Sequence, residues 1–269
     1  MSPKRILVSG CSYVEGAMWP QMAFPNTEIV NIGQHGAGNQ YISNSIIHAV
    51  DPKSPPDYVF VLFAGVNRAD VALPKTKSSL ELLAKKKFGA VLDDTVYLFS
   101  GGSKINANMV RCYNEIRDAG WPDINGVEDW LNLDTRLRQE CLDHDFFEFD
   151  CWSSEQLVEG AWALSYFNNA TFLETQTYKA VGNCVNFLES HNIKYNFGFV
   201  YDPFNTDYQK FYGCLNKKNP MYSKVNWNKF INLFPYEIGL KYDLFAEDGA
   251  HLSESGQELF AKQLQKKIT

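Results

Sequence analysis

Two short runs constrain this chain more than any other part of it: YVFVLF, residues 58–63, and YNFGFVY, residues 195–201. Each is almost continuously apolar and rich in β-branched and aromatic residues, so each reads as a strand. A strand with one face in water alternates apolar and polar residues. These two do not alternate, which requires cover on both faces, the situation of a parallel sheet with helices packed on either side. Arg5–Ser9 and Glu28–Ile32 add two more strands, and Tyr58–Phe63 and Tyr195–Tyr201 complete the set. Helical spacing of apolar residues follows at Asn39–Val50 and over 177–192. A last helix is predicted from Ser253, as N-cap, to about Lys266, with lysines near its end where they complement the helix dipole. Strands alternating with helices predict an α/β domain built on a parallel sheet.

The middle of the chain breaks this pattern. From about 68 to 170 the sequence is irregular and reads as an elaboration between the third and fourth strands, largely helical in its second half, 128–170. A second insertion, 203–240, is rich in Asn, Lys, Tyr and Phe. No internal repeat or low-complexity tract is present, and the expected organisation is one domain over 1–269 with these two insertions. The KKK run at 85–87 reads as a solvated helix face.

Several function classes drop out on composition. A net charge of −6 leaves no basic footprint for nucleic acid. No apolar run approaches the roughly 18 residues of a membrane span. The start, MSPKRILVSG, has too few apolar residues for a signal peptide, so the expectation is a cytoplasmic protein. The six cysteines are dispersed with no zinc-like spacing and read as free, mostly buried thiols. His48, His144 and His191 have no metal-ligand spacing, and HDFFEFD (144–150) reads as an acidic helix face. Neither a metal nor a cofactor is expected, and the sequence leaves the oligomeric state open.

Chemistry-bearing residues gather where the strands end. In an open parallel sheet, ligands bind outside the carboxyl ends of the strands. After the first strand stands GCSYVEG, residues 10–16, with Cys11 and Ser12 side by side. Ser12 is either a helix cap or a nucleophile set on a turn. After the second comes NIGQHGAGN, 31–39, whose glycines permit sharp turns that present free N–H groups. After the third comes AGVNR, 64–68. Near the far end, EDGAHLSESG places Asp248 and His251 three apart before a helix.

Taken in order, these stretches resemble the blocks of the SGNH hydrolases, the GDSL-like esterases and lipases. GCSYVEG is similar to the first block, G-D-S-x-x-x-G, with Ser12 at the nucleophile position. NIGQHG is similar to N-x-G-x-x-G, GVN to the start of G-x-N-D, and DGAH to D-x-x-H. The resemblance covers 5–67 and 245–260 and hardly touches the middle. It implies a flavodoxin-like, three-layer α/β/α fold. It also implies Ser12 as nucleophile, His251 as general base and acid, and Asp248 as its orienting acid. The oxyanion hole would be formed by the N–H groups of Ser12 and Gly36 and the side-chain amide of Asn67.

Two positions depart from the family pattern. Cys11 replaces the first-block aspartate and reads as a small thiol packed beneath the turn, with a thiol nucleophile as the alternative. Arg68 replaces the aspartate after Asn67; it reads as a partner of Asp70 or another acid in a surface ion pair, or as a contact for a substrate carboxylate or phosphate. His35 reads as a loop histidine touching backbone, or as a residue reaching the crevice. The expected activity is serine-dependent hydrolysis of an ester with a small, acetyl-like acyl group, with a carbohydrate among the substrates considered. The alternatives are an SGNH-fold glycan- or protein-binding protein with little turnover, and an acyltransferase using the same residues.

Overall fold

The computed structural model describes residues 3–66, 68, 70–86, 89–99, 170–206 and 213–268. Four strands, β1 (Arg5–Gly10), β2 (Glu28–Asn31), β3 (Tyr58–Phe63) and β7 (Tyr195–Phe199), form a parallel sheet in the order β2-β1-β3-β7. β3 has the bounds its sequence suggests, and the other three differ from theirs by one or two residues. The apolar runs are covered on both sides: Phe60, Val61, Leu62 and Phe63 are each at most 1% exposed.

The register shows what covers each face. Ser9, Val61 and Phe197 are aligned across β1, β3 and β7. On that face Ser9 Oγ lies 3.0 Å from Ser45 Oγ of α2 (Asn39–Ala49). Phe197 meets Trp227, which in turn meets Tyr178 of α4 (Ala170–Ser190). Val8 and Phe60 are aligned with each other and face the opposite way. There Phe60 packs on Trp19 of α1 (Trp19–Ala23), and Trp19 packs edge-on against Phe260 of α6 (Glu254–Ile268). α2 lies against α4, and α1 against α6. The result is the three-layer α/β/α arrangement.

The first part of the long insertion has regular structure that the sequence did not announce. β4 (Asp70–Pro74), α3 (Lys77–Lys86), β5 (Gly89–Leu92) and β6 (Thr95–Phe99) form an antiparallel sheet, β4-β6-β5, with one helix. It docks on α2 through Tyr41, whose ring meets Tyr97 and Phe99 at 5.2 and 5.1 Å. The helical reading of 128–170, and with it His144 and the HDFFEFD stretch, lies outside the described residues. The second insertion contains two short 3₁₀ segments, Pro220–Lys224 and Trp227–Lys229, and the start of α5 (Pro235–Tyr242). Phe230 bridges Phe197 in parallel and extends the sheet beyond β7.

Candidate active site

The segment after β1 is a succession of turns. Cys11 C=O accepts the N–H groups of Val14 and Glu15 at 2.8 and 3.1 Å, and no helix begins until Trp19. Ser12 is therefore no helix cap. The tight turn separates two neighbours: Cys11 is buried at 2% exposure, while Ser12 stays half-buried and faces a cleft.

Opposite it stands a loop from the other end of the chain. Phe245 and Leu252 form an antiparallel bridge, and Ala246 N–H donates to His251 C=O at 2.7 Å, which closes the 246–251 loop on itself. His251 Nε2 lies 2.7 Å from Ser12 Oγ, and its Nδ1 lies 2.5 Å from Asp248 Oδ2. The other carboxylate oxygen, Oδ1, accepts the N–H groups of Ala250 and His251 at 2.9 Å each. Partial burial pushes the Asp248 pKa up, but these hydrogen bonds outweigh it and hold the carboxyl below its ordinary value. Asp248 is thus fixed in place by backbone donors before it meets the imidazole.

Tyr13, a residue the sequence reading gave no role, supports this loop. Its ring lies 5.2 Å from the His251 ring, and its hydroxyl donates to Ala250 C=O. Burial raises its pKa well above the ordinary phenol value, so it remains a donor throughout the physiological range. The cleft in front of these groups has a volume of about 370 Å³. Its walls include Glu15, Ala17, Trp19, His35 and Leu252. His35 therefore does reach the crevice, with its ring 6.3 Å from that of His251.

The loop after β2 lies alongside. Gln34 N–H donates to Gly10 C=O at 3.0 Å, and Asn31 Nδ2 donates to Val14 C=O at 2.7 Å, which joins this loop to the Ser12 turn. Gly36 is buried with φ +76°, a conformation a residue with a side chain rarely adopts. Among the described residues, the N–H groups of Ser12 and Gly36 donate to no protein acceptor.

The start of α2 is tied to the segment after β3. Asn39 is buried; its Oδ1 accepts Ala64 N–H at 2.8 Å, and its Nδ2 donates to Gly65 C=O at 3.1 Å. Asp70 does not form the surface ion pair with Arg68 that the sequence suggested. Its Oδ1 accepts Gly38 N–H and its Oδ2 accepts Tyr41 N–H, both at 2.7 Å. Arg68 is partly buried, and its Nη1 is enclosed with no hydrogen-bond partner among the described residues. Asn67 itself lies outside the described residues.

The remaining expectations concern groups away from the cleft. His48 pairs with Asp93 at 2.9 Å on the surface, and His191 contacts Phe187. Among the described residues no three His, Cys, Asp or Glu side chains gather as a metal site. No helix among them is long and apolar enough to cross a membrane.

By sequence, no family model and no curated protein matches the chain. Solved structures are similar to it at low identity. One is the psychrotrophic esterase EstA of a Pseudoalteromonas species, in a form inhibited by monoethylphosphonate. It is 11% identical, with 98% of this chain and 96% of that one covered and a TM-score of 0.45. Another is a member of the lipolytic G-D-S-L family from Veillonella parvula. It is 12% identical, with 97% and 96% covered and a TM-score of 0.43.

Proposed function

We propose that this chain is a serine-dependent ester hydrolase of the SGNH type, acting on esters of small acyl groups. The observation that carries this reading is the line of contacts from Ser12 Oγ to His251 Nε2 at 2.7 Å and from His251 Nδ1 to Asp248 at 2.5 Å. A serine hydroxyl is a weak nucleophile unless a base accepts its proton, and a neutral imidazole oriented by a carboxylate is such a base. Ser12 Oγ attacks the ester carbonyl while its proton passes to His251 Nε2. The tetrahedral intermediate collapses as His251 returns the proton to the leaving alcohol. Water then attacks the acyl-serine with the same base, and the acid product departs. Negative charge on the carbonyl oxygen is met by the N–H groups of Ser12 and Gly36 and, from the sequence pattern, by the amide of Asn67.

A cleft of about 370 Å³ lies at the low end of the range for small-molecule sites, which supports a short acyl chain such as acetyl. The unpartnered Nη1 of Arg68 and the position of His35 support substrate contacts from those side chains.

The test is hydrolysis of p-nitrophenyl acetate together with labelling by a fluorophosphonate. Ser12→Ala should abolish both, whereas Cys11→Ala, which alters a residue sealed in the core, should retain most activity. Asn67→Ala should lower kcat by about 10²–10³ with KM little changed. Arg68→Gln and His35→Gln should act chiefly on KM. Wild-type protein that neither labels nor turns over would identify a binding protein. Inactivation by iodoacetamide with a dead Cys11→Ala would identify a thiol enzyme.

A further inference from the structure

The carboxylate of Asp70, two residues beyond Arg68, occupies an unusual position for an acid. It comes from the first residue of β4, yet both its oxygens are engaged by the start of α2, through Gly38 and Tyr41 N–H groups at 2.7 Å each. α2 has no cap of its own, because its N-cap residue is Gly38, which offers no side chain. Nor can position 38 be anything larger: a Cβ there would lie 2.4 Å from Asp70 Oδ1. The first-turn N–H groups, left without partners inside any helix, are here satisfied by an acid from another element.

What precedes that cap is the Gly36 turn. Ala37 N–H donates to Gln34 C=O at 3.1 Å, Ala37 is fully buried, and Gly36 sits between them at φ +76°, its own N–H donating to no acceptor among the described residues. On one side this turn is fixed to the Ser12 segment by Gln34 and Asn31. On the other it is fixed by Asp70. We propose that Asp70 is the positioning residue of the oxyanion loop. Its ionised carboxylate, by holding Gly38 and Tyr41, fixes the Gly36 turn beside the cleft, and its protonation loosens that turn. This rests on the proposed ester hydrolysis for its catalytic consequence, though not for the coupling itself.

Protonation matters because both oxygens are used. A carboxylate accepts at both; a carboxylic acid presents one O–H, which opposes one of the two N–H donors. Enclosure of the carboxylate raises its pKa to about 7, against the lowering effect of the Tyr41, Gly38 and Gln40 N–H groups and the Arg68 charge. Among the described residues, the charged and titratable groups that face it are Arg68 from the segment after β3 and Tyr41 from α2. Tyr97 of β6 and Glu15 act on Tyr41 in turn. Burial raises the Tyr41 pKa above that of an ordinary phenol, whereas that of Asp70 is brought to about 7.

The experiment follows the backbone amides of ¹⁵N-labelled wild-type protein from pH 5 to 9, beside kcat and KM for p-nitrophenyl acetate. Gly38 and Tyr41 amides should titrate with an inflection near 7, and Gly36 should share it. In Asp70→Asn that inflection should vanish from all three. The variant should lose about 10- to 100-fold in kcat, as expected for a catalytic group displaced by a fraction of an ångström to an ångström, with KM within about twofold. One ionisation should also leave the acid limb of its kcat profile. A Gly36 amide that stays flat while Gly38 and Tyr41 titrate would overturn the proposal, whether or not the protein hydrolyses esters. So would an Asp70→Asn variant with wild-type kcat. Absence of turnover in wild type, with the three amides still moving together, would reject the esterase reading and leave the coupling standing.

Discussion

Tyr13 illustrates how much a single side chain contributes to the geometry of another. It follows Ser12 directly, yet its hydroxyl holds Ala250 and its ring lies against His251. The turn that carries Ser12 therefore braces His251. Tyr13→Phe keeps the ring and removes the tether. A hydrogen bond of this kind contributes about 1 kcal/mol, so stability should fall by roughly that amount in urea denaturation. The kcat for p-nitrophenyl acetate should fall by more than the stability loss suggests, about tenfold, because His251 gains freedom relative to Ser12. A loss confined to stability, with kcat intact, would show that Asp248 alone positions the loop. The residues at strand ends were legible because Gly-rich turns punctuate them. Tyr13, Asp70 and Asn39 were not, because each acts on backbone groups 25 to 237 positions away. Nothing in local spacing marks such partners.

Elements were legible in proportion to how far their own residues specify them. The runs at β3 and β7 carry their burial in their composition. α1 does not: it has five residues, and its N-cap, Met18, makes no side-chain cap. Its cap comes from α6, where Gln257 Oε1 accepts the N–H groups of Met18 and Trp19 at 2.8 and 3.3 Å. Gln257 Nε2 also donates to Leu252 C=O at 3.3 Å, so one amide joins the segment after Ser12 to the segment after His251. Gln257→Ala should cost about 1–2 kcal/mol in urea denaturation, the usual range for a lost helix cap. Gln257→Glu, which keeps an acceptor, should recover most of that. α5 escaped notice because it is only eight residues long and its N-cap Phe234 offers no side-chain cap. The β4–β6 strands are four or five residues each, and their apolar runs, VAL, AVL and VYLF, are too short to tell strand from helix by pattern alone.

For the molecule as a whole, two aspartates link stability to pH in opposite directions. Asp70 has its pKa raised from 3.8 to about 7, so the folded state binds its proton more tightly than the unfolded chain does. Its contribution is fully present below about 4 and is lost as pH rises to about 7. Asp248 has its pKa lowered, so its contribution is present above the ordinary value of 3.8 and is lost only as pH falls through the depressed one. Between about 4 and 7 the Asp70 effect acts alone of the two. Asp70→Asn should therefore be more destabilising relative to wild type at pH 5 than at pH 8, as read from urea midpoints at each pH. A difference that is constant with pH would mean that the carboxylate is already ionised at pH 5.

The order of the parts along the chain has a consequence for how the protein is made. Ser12 and His251 are separated by 239 positions, and the imidazole loop is followed by the helix that packs on Trp19. A ribosome adds roughly 5–20 residues per second, so Ser12 emerges on the order of ten seconds or more before His251. Throughout that interval the growing polypeptide carries an ordinary alcohol. Nascent chains halted anywhere short of His251 should be inert toward fluorophosphonates, and reactivity should switch on only late in synthesis.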